Sequence, residues 1–362
     1  MLASDIVSSR PTASVIIPAR NEEAGLGACL ESLARQTGVS FEIIVVDDAS
    51  TDRTREIAQS FSSVRLVLDA GPPPSDWTGK NNATAAGARV ARGEWFLFTD
   101  ADTVHLPGSL SRAIAEAQQH RAALLSYSPE QEVHGFWEKA IMPVIFAELA
   151  ATYQPSQVSN PRSAAAAANG QYILISREAY GAVGGHAAVA NSLLDDVALA
   201  RAVKASGRSI FFRFGGDAVR TRMYRSLAQL REGWTKNLAL LFRSSGALAL
   251  RRLTEFVLIA GGFMAAIAAG LQGHIKPAMA AAILAAVVYG FFLKRILKAH
   301  FSWDANALSL LGLPLFSCLL LRSRASYRQG SVRWKGRTYG AATSPVVGAA
   351  DALARPAERS SA

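Results

Sequence analysis

Two acids follow a short apolar run near residue 100, and this stretch constrains the fold more than any other. Residues 95–98 read Trp-Phe-Leu-Phe, and Asp100 and Asp102 come soon after them. An apolar run of this length predicts a buried strand. Residues two apart in an extended chain project to the same side, so the two carboxylates repel each other unless a cation lies beside them. The strand end therefore either holds a divalent cation that bridges to a diphosphate or is a polar exit from a sheet.

Strands and helices alternate along the N-terminal part of the chain. Apolar runs at 14–18, 41–46 and 64–68 are separated by helical patterns that end near residues 36 and 60. This alternation predicts a parallel α/β sheet, whose ligands bind at the carboxyl ends of the strands. Asp47 and Asp48 follow the second run and are therefore expected at the same edge as the first acid pair. Neither a GxGxxG dinucleotide motif nor a GxxxxGK(S/T) phosphate loop occurs.

A lysine stands at the start of the next predicted helix. Residues 71–78 are rich in proline and glycine and predict a loop, and a helix opens near Asn81. Lys80 lies just ahead of that helix, whose N-terminus itself favours an anion. The two features predict a cradle for a diphosphate, with an exposed loop lysine as the alternative.

Four segments of this part occur together in one order. They are Val-Ile-Ile-Pro-Ala-Arg-Asn-Glu-Glu at 15–23, Val-Val-Asp-Asp-Ala-Ser-Thr-Asp-Arg-Thr at 45–54, Trp-Thr-Gly-Lys-Asn at 77–81 and Phe-Thr-Asp-Ala-Asp at 98–102. In this order and spacing the chain resembles the family 2 inverting glycosyltransferases of the GT-A fold. The resemblance implies a Rossmann-like, mostly parallel α/β domain that binds a nucleotide-diphospho-sugar donor with Mg²⁺ or Mn²⁺. It also implies that Glu22 and Asp48, with Asp47 as a further candidate, hold the base and ribose of the donor. Asp100 and Asp102 would be the DxD acids of the family, with Asp102 the direct metal ligand.

A third acid pair precedes a helix predicted to run to Gly207. Asp195 and Asp196 follow Ser-Leu-Leu at 192–194. The family usually has Glu-Asp at this point, with the aspartate as general base, which implies that Asp196 is the base and that Asp195 replaces the glutamate. A carboxylate can remove the proton of an acceptor hydroxyl, and burial beside a second acid raises its pKa toward a useful range. The alternative is an acid pair that stabilises the positive end of a helix dipole.

Two further residues are candidates for contact with an acceptor. His186 ends a glycine-rich turn that starts at Gly184, and it is either a substrate contact or an ordinary loop residue. Trp234 follows Gln229 at a spacing that differs from the Gln-x-x-Arg-Trp motif of processive family members. This departure argues against a processive polysaccharide synthase, and Trp234 is expected to line the acceptor pocket.

The segment 201–252 is strongly basic. It contains twelve lysines and arginines and only two acids, Asp217 and Glu232. Apolar residues recur in it at steps of three and four over 222–243. This pattern predicts an amphipathic basic helix at the surface of an anionic membrane, with a core-packed helix as the alternative.

Three uncharged apolar stretches follow, at 256–272, 277–293 and 305–321. Each has 17 residues and is flanked by lysine or arginine, which predicts short membrane helices, with buried soluble helices as the alternative. Six basic residues and no acid lie between 322 and 337, which indicates that this segment lies on the cytosolic side of the membrane, as the catalytic part is expected to do. Three full crossings of the membrane would place the segment on the opposite side. One stretch is therefore expected to be re-entrant, and the third, broken by Pro314, is the best candidate.

The tail carries a further pattern, Val-Arg-Trp-Lys-Gly-Arg-Thr-Tyr at 332–339. Together with Gly-His at 185–186 and Thr-Arg-Met-Tyr at 221–224, it resembles membrane glycosyltransferases that act on carotenoid- or hopanoid-type lipids. The arginines of the tail are expected to fold back to the donor phosphates. We expect three parts: a GT-A catalytic domain at 1–245 that includes the interface helix 222–243, membrane-embedded helices at 246–325, and a basic tail at 326–362 that is disordered after about residue 343.

The sequence as a whole predicts a membrane-bound, metal-dependent, inverting glycosyltransferase. A net charge of +10 with half of the residues hydrophobic favours an anionic membrane over nucleic acid, for which no motif is present. The other expected partners are a nucleotide sugar and a lipid whose hydroxyl or carboxylate attacks the anomeric carbon. The expected location is the inner cell membrane, multi-pass or partly re-entrant, with a cytosolic catalytic domain. The alternatives are transfer to a polyprenyl phosphate and a non-catalytic nucleotide-binding scaffold.

Overall fold

A seven-stranded, mostly parallel sheet lies at the centre of the computed structural model, which describes residues 10–339. The strands of the chain are β1 (Ala13–Ala19), β2 (Phe41–Asp47), β3 (Val64–Asp69), β4 (Trp95–Phe98), β5 (Thr103–His105), β6 (Leu124–Ser128), β7 (Glu130–Gln131), β8 (Ile173–Ser176), β9 (Ile210–Phe214), β10 (Val219–Thr221), β11 (Val332–Trp334) and β12 (Arg337–Tyr339). The main sheet has the order β3-β2-β1-β4-β8-β6-β9, and β8 runs antiparallel to both of its neighbours. The predicted α/β class is confirmed.

Helices cover both faces of this sheet, and other helices form a separate apolar core beside it. In chain order the helices are α1 (Leu26–Ala34), α2 (Thr54–Ser60), α3 (Gly79–Val90), α4 (Ser109–Gln119), α5 (Phe136–Thr152), α6 (Pro155–Val158), α7 (Arg177–Ala182), α8 (Asp195–Ala205), α9 (Leu227–Leu241), α10 (Ser245–Phe256), α11 (Gly262–Leu271), α12 (Ile275–Ile296) and α13 (Trp303–Arg328). Side chains alternate along β1, so Val15 packs in one apolar core and Ile16 in the other. The first core includes Leu30 of α1, and the second includes Leu199 of α8.

The three parallel strands β2, β1 and β4 bring their carboxyl ends to one edge of the sheet. Ala19 of β1 pairs with Asp47 of β2, and Phe98 of β4 pairs with Ile16 of β1. The loops that follow these strands therefore leave the sheet side by side, at the edge where ligands bind in α/β folds.

Helix α9 differs from the predicted interface helix at 222–243. It begins only at Leu227, because the Ser226 side chain accepts a hydrogen bond from the Gln229 amide and caps the helix. Its apolar side, which includes Trp234, is buried against α5 and α13. The predicted start at residue 222 is therefore wrong, and the apolar side is covered by protein.

Strand β8 begins only at Ile173, although the apolar pattern starts earlier, because residues 169–172 form a turn closed by the Tyr172 amide and the Asn169 carbonyl. Helix α13 continues through Pro314, so the predicted break there is wrong. Proline removes one N–H donor from a helix, and packing against α5 and α10 keeps α13 continuous here.

Three helical segments are long and apolar enough to cross a membrane. They are Ser245–Leu271, in which α10 and α11 join through a π-helical turn at Val257–Gly261, then Ile275–Ala299 and Trp303–Arg328. Only 6% of the apolar stretch of the first and 17% of the second are buried within the protein, against 50% of the third. The first two form a largely exposed helical hairpin, whereas the third packs on the rest of the chain.

Helix α13 is held at both ends by helices of the predicted catalytic domain. Near its start, Asp304 pairs with Lys139 of α5 at 2.6 Å. Near its end, the Tyr327 hydroxyl donates to the backbone carbonyl of Lys236 in α9 at 2.7 Å. Between them, Gly312 packs so closely on the backbone of α5 that a Cβ would overlap it. Both ends of α13 therefore lie beside the predicted catalytic domain.

Four charges, two of them buried and two partly buried, connect the base of the helical hairpin to α5. Glu148 of α5 lies 2.8 Å from Arg252 of α10 and 3.2 Å from Arg295 of α12. Glu255 of α10 contacts the same two arginines at 2.9 and 2.7 Å. Two negative and two positive charges balance, which is what burial of charged groups requires.

Candidate active site

A row of charged side chains crosses the carboxyl edge of the sheet. Lys80, in the first turn of α3, pairs with Asp100 at 2.7 Å and lies 4.0 Å from Asp195. The helix starts there because the Thr78 side chain accepts a hydrogen bond from the Asn81 amide. Burial alone would lower the pKa of Lys80, but Asp100 and Asp195 outweigh it and raise that pKa above its usual value. Lys80 thus lies between the DxD acids and the acid pair Asp195/Asp196.

Asp102 offers an enclosed oxygen at this edge. Its Oδ1 atom is buried and has no hydrogen-bond partner among the residues that the structure describes. Burial, and then the charges of Asp100 and Glu22, raise the pKa of Asp102 to about 8. An unpartnered acid oxygen of this kind fits a divalent cation, whose charge would reverse the shift.

Oxygen atoms from a substrate would be needed to complete such a metal site. Within residues 10–339, no group of three or more His, Cys, Asp or Glu side chains could hold a metal ion by itself. Mg²⁺ is often bound by one or two carboxylates together with substrate phosphates. Asp100 and Asp102 fit that pattern.

Asp196 is anchored by two backbone N–H groups. The Gly170 amide donates to its Oδ2 atom at 3.0 Å, and the Val197 amide donates to its Oδ1 atom at 2.8 Å. Burial, and then the charge of Asp195, raise the pKa of Asp196 to about 6. A Cβ on Gly170 would lie 3.2 Å from Lys80 Nζ, so the glycine leaves room between the lysine and the acid. A carboxylate with this pKa is suited to accept a proton near neutral pH.

His186 is buried and lies beside Asp195. The Tyr180 hydroxyl accepts a hydrogen bond from the His186 backbone amide and lies 3.0 Å from Nδ1. If the tyrosine proton points to Nδ1, the ring proton is on Nε2, which lies 3.9 Å from Asp195 Oδ2. Burial lowers the pKa of His186 to about 4, so the ring is neutral at pH 7. At this distance His186 and Asp195 are neighbours without a direct hydrogen bond.

The structure gives the adjacent acids Asp47 and Asp48 different surroundings. Asp47 Oδ1 accepts a hydrogen bond from the Ser50 amide at 3.1 Å, and Arg55 lies 3.9 Å from its other oxygen. Asp48 instead binds the guanidinium of Arg337 in the tail, with 2.9 Å between Nη2 and Oδ1. Asp47 therefore closes a turn, and Asp48 faces the candidate site.

The tail returns to this edge as a β-hairpin formed by β11 and β12. Lys335 pairs with Glu22 and donates to the Arg20 carbonyl at 2.9 Å. Arg337 binds Asp48 through two nitrogens. The tail thus folds back as expected, but its cations contact carboxylates that are predicted to bind the donor. The predicted disorder after about residue 343 lies outside the described residues.

Two residues of the site were not predicted from the sequence. Burial, and then the charge of Lys80, lower the pKa of Lys236 in α9 to about 8, while Asp195 opposes that shift. The Lys236 Nζ atom also lies 4.6 Å from the centre of the Trp334 ring. Tyr224 is buried, and burial followed by the charge of Asp102 raises its pKa. The sequence signal for Lys236 was its place among the cations of α9, but that pattern does not tell which cation faces the acids.

Trp234 packs inside the apolar core between α5, α9 and α13. It is 2% exposed, and its Nε1 atom donates to the Met142 sulfur at 3.4 Å. Its ring meets that of Phe146 edge to face. The structure gives it no open surface in this state, and contact with an acceptor stays a prediction.

The chain is similar to several known proteins. Residues 14–184 match the family model for Glycosyl transferase family 2. The 4,4'-diaponeurosporenoate glycosyltransferase of Staphylococcus aureus strain USA300 is 28% identical over 340 residues, which cover 90% of this chain and 88% of the relative. The protein of the same name from strain MRSA252 is 29% identical over 342 residues, with the same coverage.

A solved structure has a similar fold. The mannosyltransferase PcManGT from Pyrobaculum calidifontis, in complex with GDP-Man and Mn²⁺, is 17% identical, with a TM-score of 0.50 over 88% of this chain and 87% of that chain. The family match includes Asp48, Lys80 and both DxD acids, and the relatives extend the similarity over the apolar helices. Residues 14–184 therefore form a family 2 glycosyltransferase domain of the GT-A fold, and the chain as a whole resembles the carotenoid-associated glycosyltransferases.

Proposed function

We propose that this chain is membrane-bound and transfers a sugar, with inversion, from a nucleotide-diphosphate donor to a carotenoid- or hopanoid-like lipid. The observation that carries the proposal is the row of Asp100, Lys80 and Asp195, which links a donor-side acid pair to an acceptor-side acid pair. The names of the Staphylococcus aureus relatives and the GDP-Man and Mn²⁺ of the similar structure support these substrate classes. The three apolar helices support a lipid acceptor.

The donor-side residues are proposed to divide the nucleotide sugar among them. Glu22 and Asp48 accept hydrogen bonds from the base and ribose once the tail cations release them. Lys80 and the N-terminus of α3 attract the diphosphate. Asp102 and Asp100 would hold Mg²⁺ or Mn²⁺, which neutralises charge on the departing diphosphate.

Asp196 is proposed to act on the acceptor. With a hydroxyl acceptor, it removes the proton as the acceptor oxygen bonds to the anomeric carbon and the bond from that carbon to the diphosphate breaks. Attack from the face opposite the diphosphate inverts the configuration. With a carboxylate acceptor no proton has to move, and Asp196 then positions the acceptor.

The test uses purified full-length protein in detergent with a panel of nucleotide sugars. Carotenoid carboxylates and hopanoid alcohols serve as acceptors, and mass spectrometry detects glycosylated lipid with Mn²⁺, with Mg²⁺ and with a chelator. We expect one of the nucleotide sugars to be consumed when Mn²⁺ or Mg²⁺ is present and not when the chelator is present. Asp102→Ala should abolish transfer, whereas Asp69→Ala, at an exposed acid on the end of β3, should leave it unchanged. Normal transfer by Asp102→Ala would contradict the metal role, and no turnover of any donor would favour the non-catalytic scaffold.

A polyprenyl phosphate is the second candidate acceptor. The observation that favours it is Lys236, a cation whose pKa responds to the charges of Asp195 and Asp196 and that sequence patterns did not single out. A phosphate is already an anion and needs no general base. Transfer to a polyprenyl phosphate that persists in Asp196→Asn would support this candidate, whereas loss of transfer to a hydroxyl acceptor in the same variant would support the first.

A further inference from the structure

An arginine-lined cavity of about 520 Å³ opens where α9, α10 and α13 meet. Arg243 and Ser244, which follow α9, form one wall, and Arg324, Tyr327 and Arg328 at the end of α13 form another. The first residues of α10 complete it, and no acidic residue lines it. The cavity is separate from the candidate active site, and it contains none of the residues assigned there.

The three arginines of this cavity have no acidic partner among residues 10–339. No carboxylate oxygen in this range lies within 4.0 Å of a guanidinium nitrogen of Arg243, Arg324 or Arg328. In contrast, Arg252 in helix α10 is paired with Glu148. Three positive charges around one space repel each other unless an anion lies between them.

The walls of the cavity suit a phosphate group. Arg324 lies against the first turn of α10, and a Cβ on Gly246 would overlap its guanidinium. Guanidinium groups bind phosphate oxygens through two parallel N–H bonds, and several such groups can share one phosphate. The glycine therefore keeps one of the three arginines in position for an anion.

The surroundings indicate where such a phosphate comes from. Leu250 is 67% exposed and lies one helical turn after Gly246, and Leu321 is 52% exposed and lies one turn before Arg324. Exposed apolar side chains next to a basic cavity match a lipid whose tail and phosphate bind side by side. Arg243 follows the end of α9, seven residues after Lys236, and no residue that lines the cavity is among those assigned to the active site.

We propose that this cavity binds the phosphate of an anionic membrane phospholipid and seats the junction of α9, α10 and α13 at the membrane interface. The lipid is not the acceptor of sugar transfer, and the inference does not depend on the proposed reaction. The cavity arginines would recognise the phosphate group of the lipid, so free inorganic phosphate is the competing ligand.

The test is native mass spectrometry of the full chain in detergent, titrated with phosphatidylglycerol or with phosphatidylcholine. We expect one tightly held phosphatidylglycerol and weaker retention of phosphatidylcholine, whose choline cation offsets the phosphate charge. The triple variant R243A/R324A/R328A should lose at least tenfold in affinity for phosphatidylglycerol. The arginines of both sets are exposed, and a matched triple, R251A/R322A/R333A, removes the same charge from outside the cavity and should bind normally.

A second variant keeps every charge. Gly246→Ala pushes the Arg324 guanidinium aside and should also weaken retention, while thermal unfolding confirms that the protein remains folded. Equal losses in the two triple variants would overturn the proposal, because they would indicate attraction to net charge alone. Displacement of the lipid by inorganic phosphate at the same concentration would overturn the assignment to a phospholipid.

Discussion

Asp196 illustrates, at the scale of single residues, how far local sequence identifies chemistry. The acid pair at 195–196 and the DxD acids were predicted from short motifs, because each motif is contiguous in the chain. The partners that set their properties were not predicted, because Lys80 and Gly170 reach Asp196 only through the fold. For the same reason Lys236 was missed, although its helix was identified as basic.

The pH dependence of transfer to a hydroxyl acceptor follows from the pKa of Asp196. The proposed base, Asp196, would act as a carboxylate, and its pKa is raised to about 6. The value of kcat/KM should therefore fall as the pH drops below about 6 and should be level above it. Asp195→Asn removes a charge that raises this pKa, so the midpoint should move to lower pH. Initial rates measured across the acid range test both statements.

The control for this experiment is Glu178→Gln, at an acid with an 85% exposed side chain that pairs with Arg208. Its pH profile should match that of the unaltered protein. An upward shift of the midpoint in Asp195→Asn, or no shift at all, would contradict the assignment of the titrating group to Asp196.

The β11–β12 hairpin shows the same limit at the scale of elements. The pattern at 332–339 indicated a functional tail, but its partners Glu22 and Asp48 lie 313 and 289 residues away from Lys335 and Arg337. Helix α9 is a second case, since its periodicity gave an apolar side without indicating that α5 and α13 cover it. Periodicity reports that an apolar side must be buried, and only the fold decides what buries it.

Release of the β11–β12 hairpin should improve access to the nucleoside part of the site. The Arg337 guanidinium is hydrogen-bonded to the Asp48 carboxylate, so a nucleoside that binds this carboxylate must first displace the guanidinium. Arg337→Ala should therefore lower the Kd of a nucleoside without phosphates several-fold, because less of the protein is in the blocked form. Isothermal titration calorimetry measures this change. Arg333→Ala, at an exposed arginine of the same hairpin, should not alter the Kd, and an unchanged Kd in Arg337→Ala would argue against a blocking role.

The buried charges at the base of the helical hairpin should matter for stability. Glu148→Gln leaves Arg252 and Arg295 with a single carboxylate between them. Breaking a buried pair of this kind costs about 3–5 kcal/mol, so the melting temperature in detergent should fall clearly. Glu178→Gln breaks an exposed pair and should cost at most about 1 kcal/mol. Equal melting temperatures for the two variants would show that the buried charges contribute no more than a surface pair.

At the scale of the whole molecule, the position of α13 decides how the chain meets the membrane. The sequence predicted three apolar segments, and all three are helices long enough to cross. Their composition could not show that α13 is attached to α5 at one end and to α9 at the other. The tail then continues to Glu22, so it lies on the same side as the catalytic domain. An even number of crossings satisfies these contacts, and the exposed hairpin of α10–α11 and α12 supplies two.

We therefore expect only the hairpin to enter the bilayer. The 22 residues of α12 span about 33 Å, which matches a hydrocarbon core of about 30 Å. Arginines and lysines concentrate at the base of the hairpin, as expected for its cytosolic end, and its tip contains only Lys276. Helix α13 would then lie along the interface, with Trp303, 83% exposed, at the depth where tryptophan is enriched.

Cysteine labelling in sealed, inside-out membrane vesicles tests this topology. In a Cys318→Ser background, Ser302→Cys and Gln329→Cys place thiols just outside the two ends of α13, and Gln272→Cys places one at the tip of the hairpin. A membrane-impermeant maleimide should label both ends of α13 and should label the tip only after the vesicles are opened with detergent. The buried Cys29 should remain unlabelled and serves as the internal control. Labelling of Ser302→Cys without Gln329→Cys would mean that α13 crosses the bilayer, and the contacts of the tail with Glu22 could not then form in the membrane-bound protein.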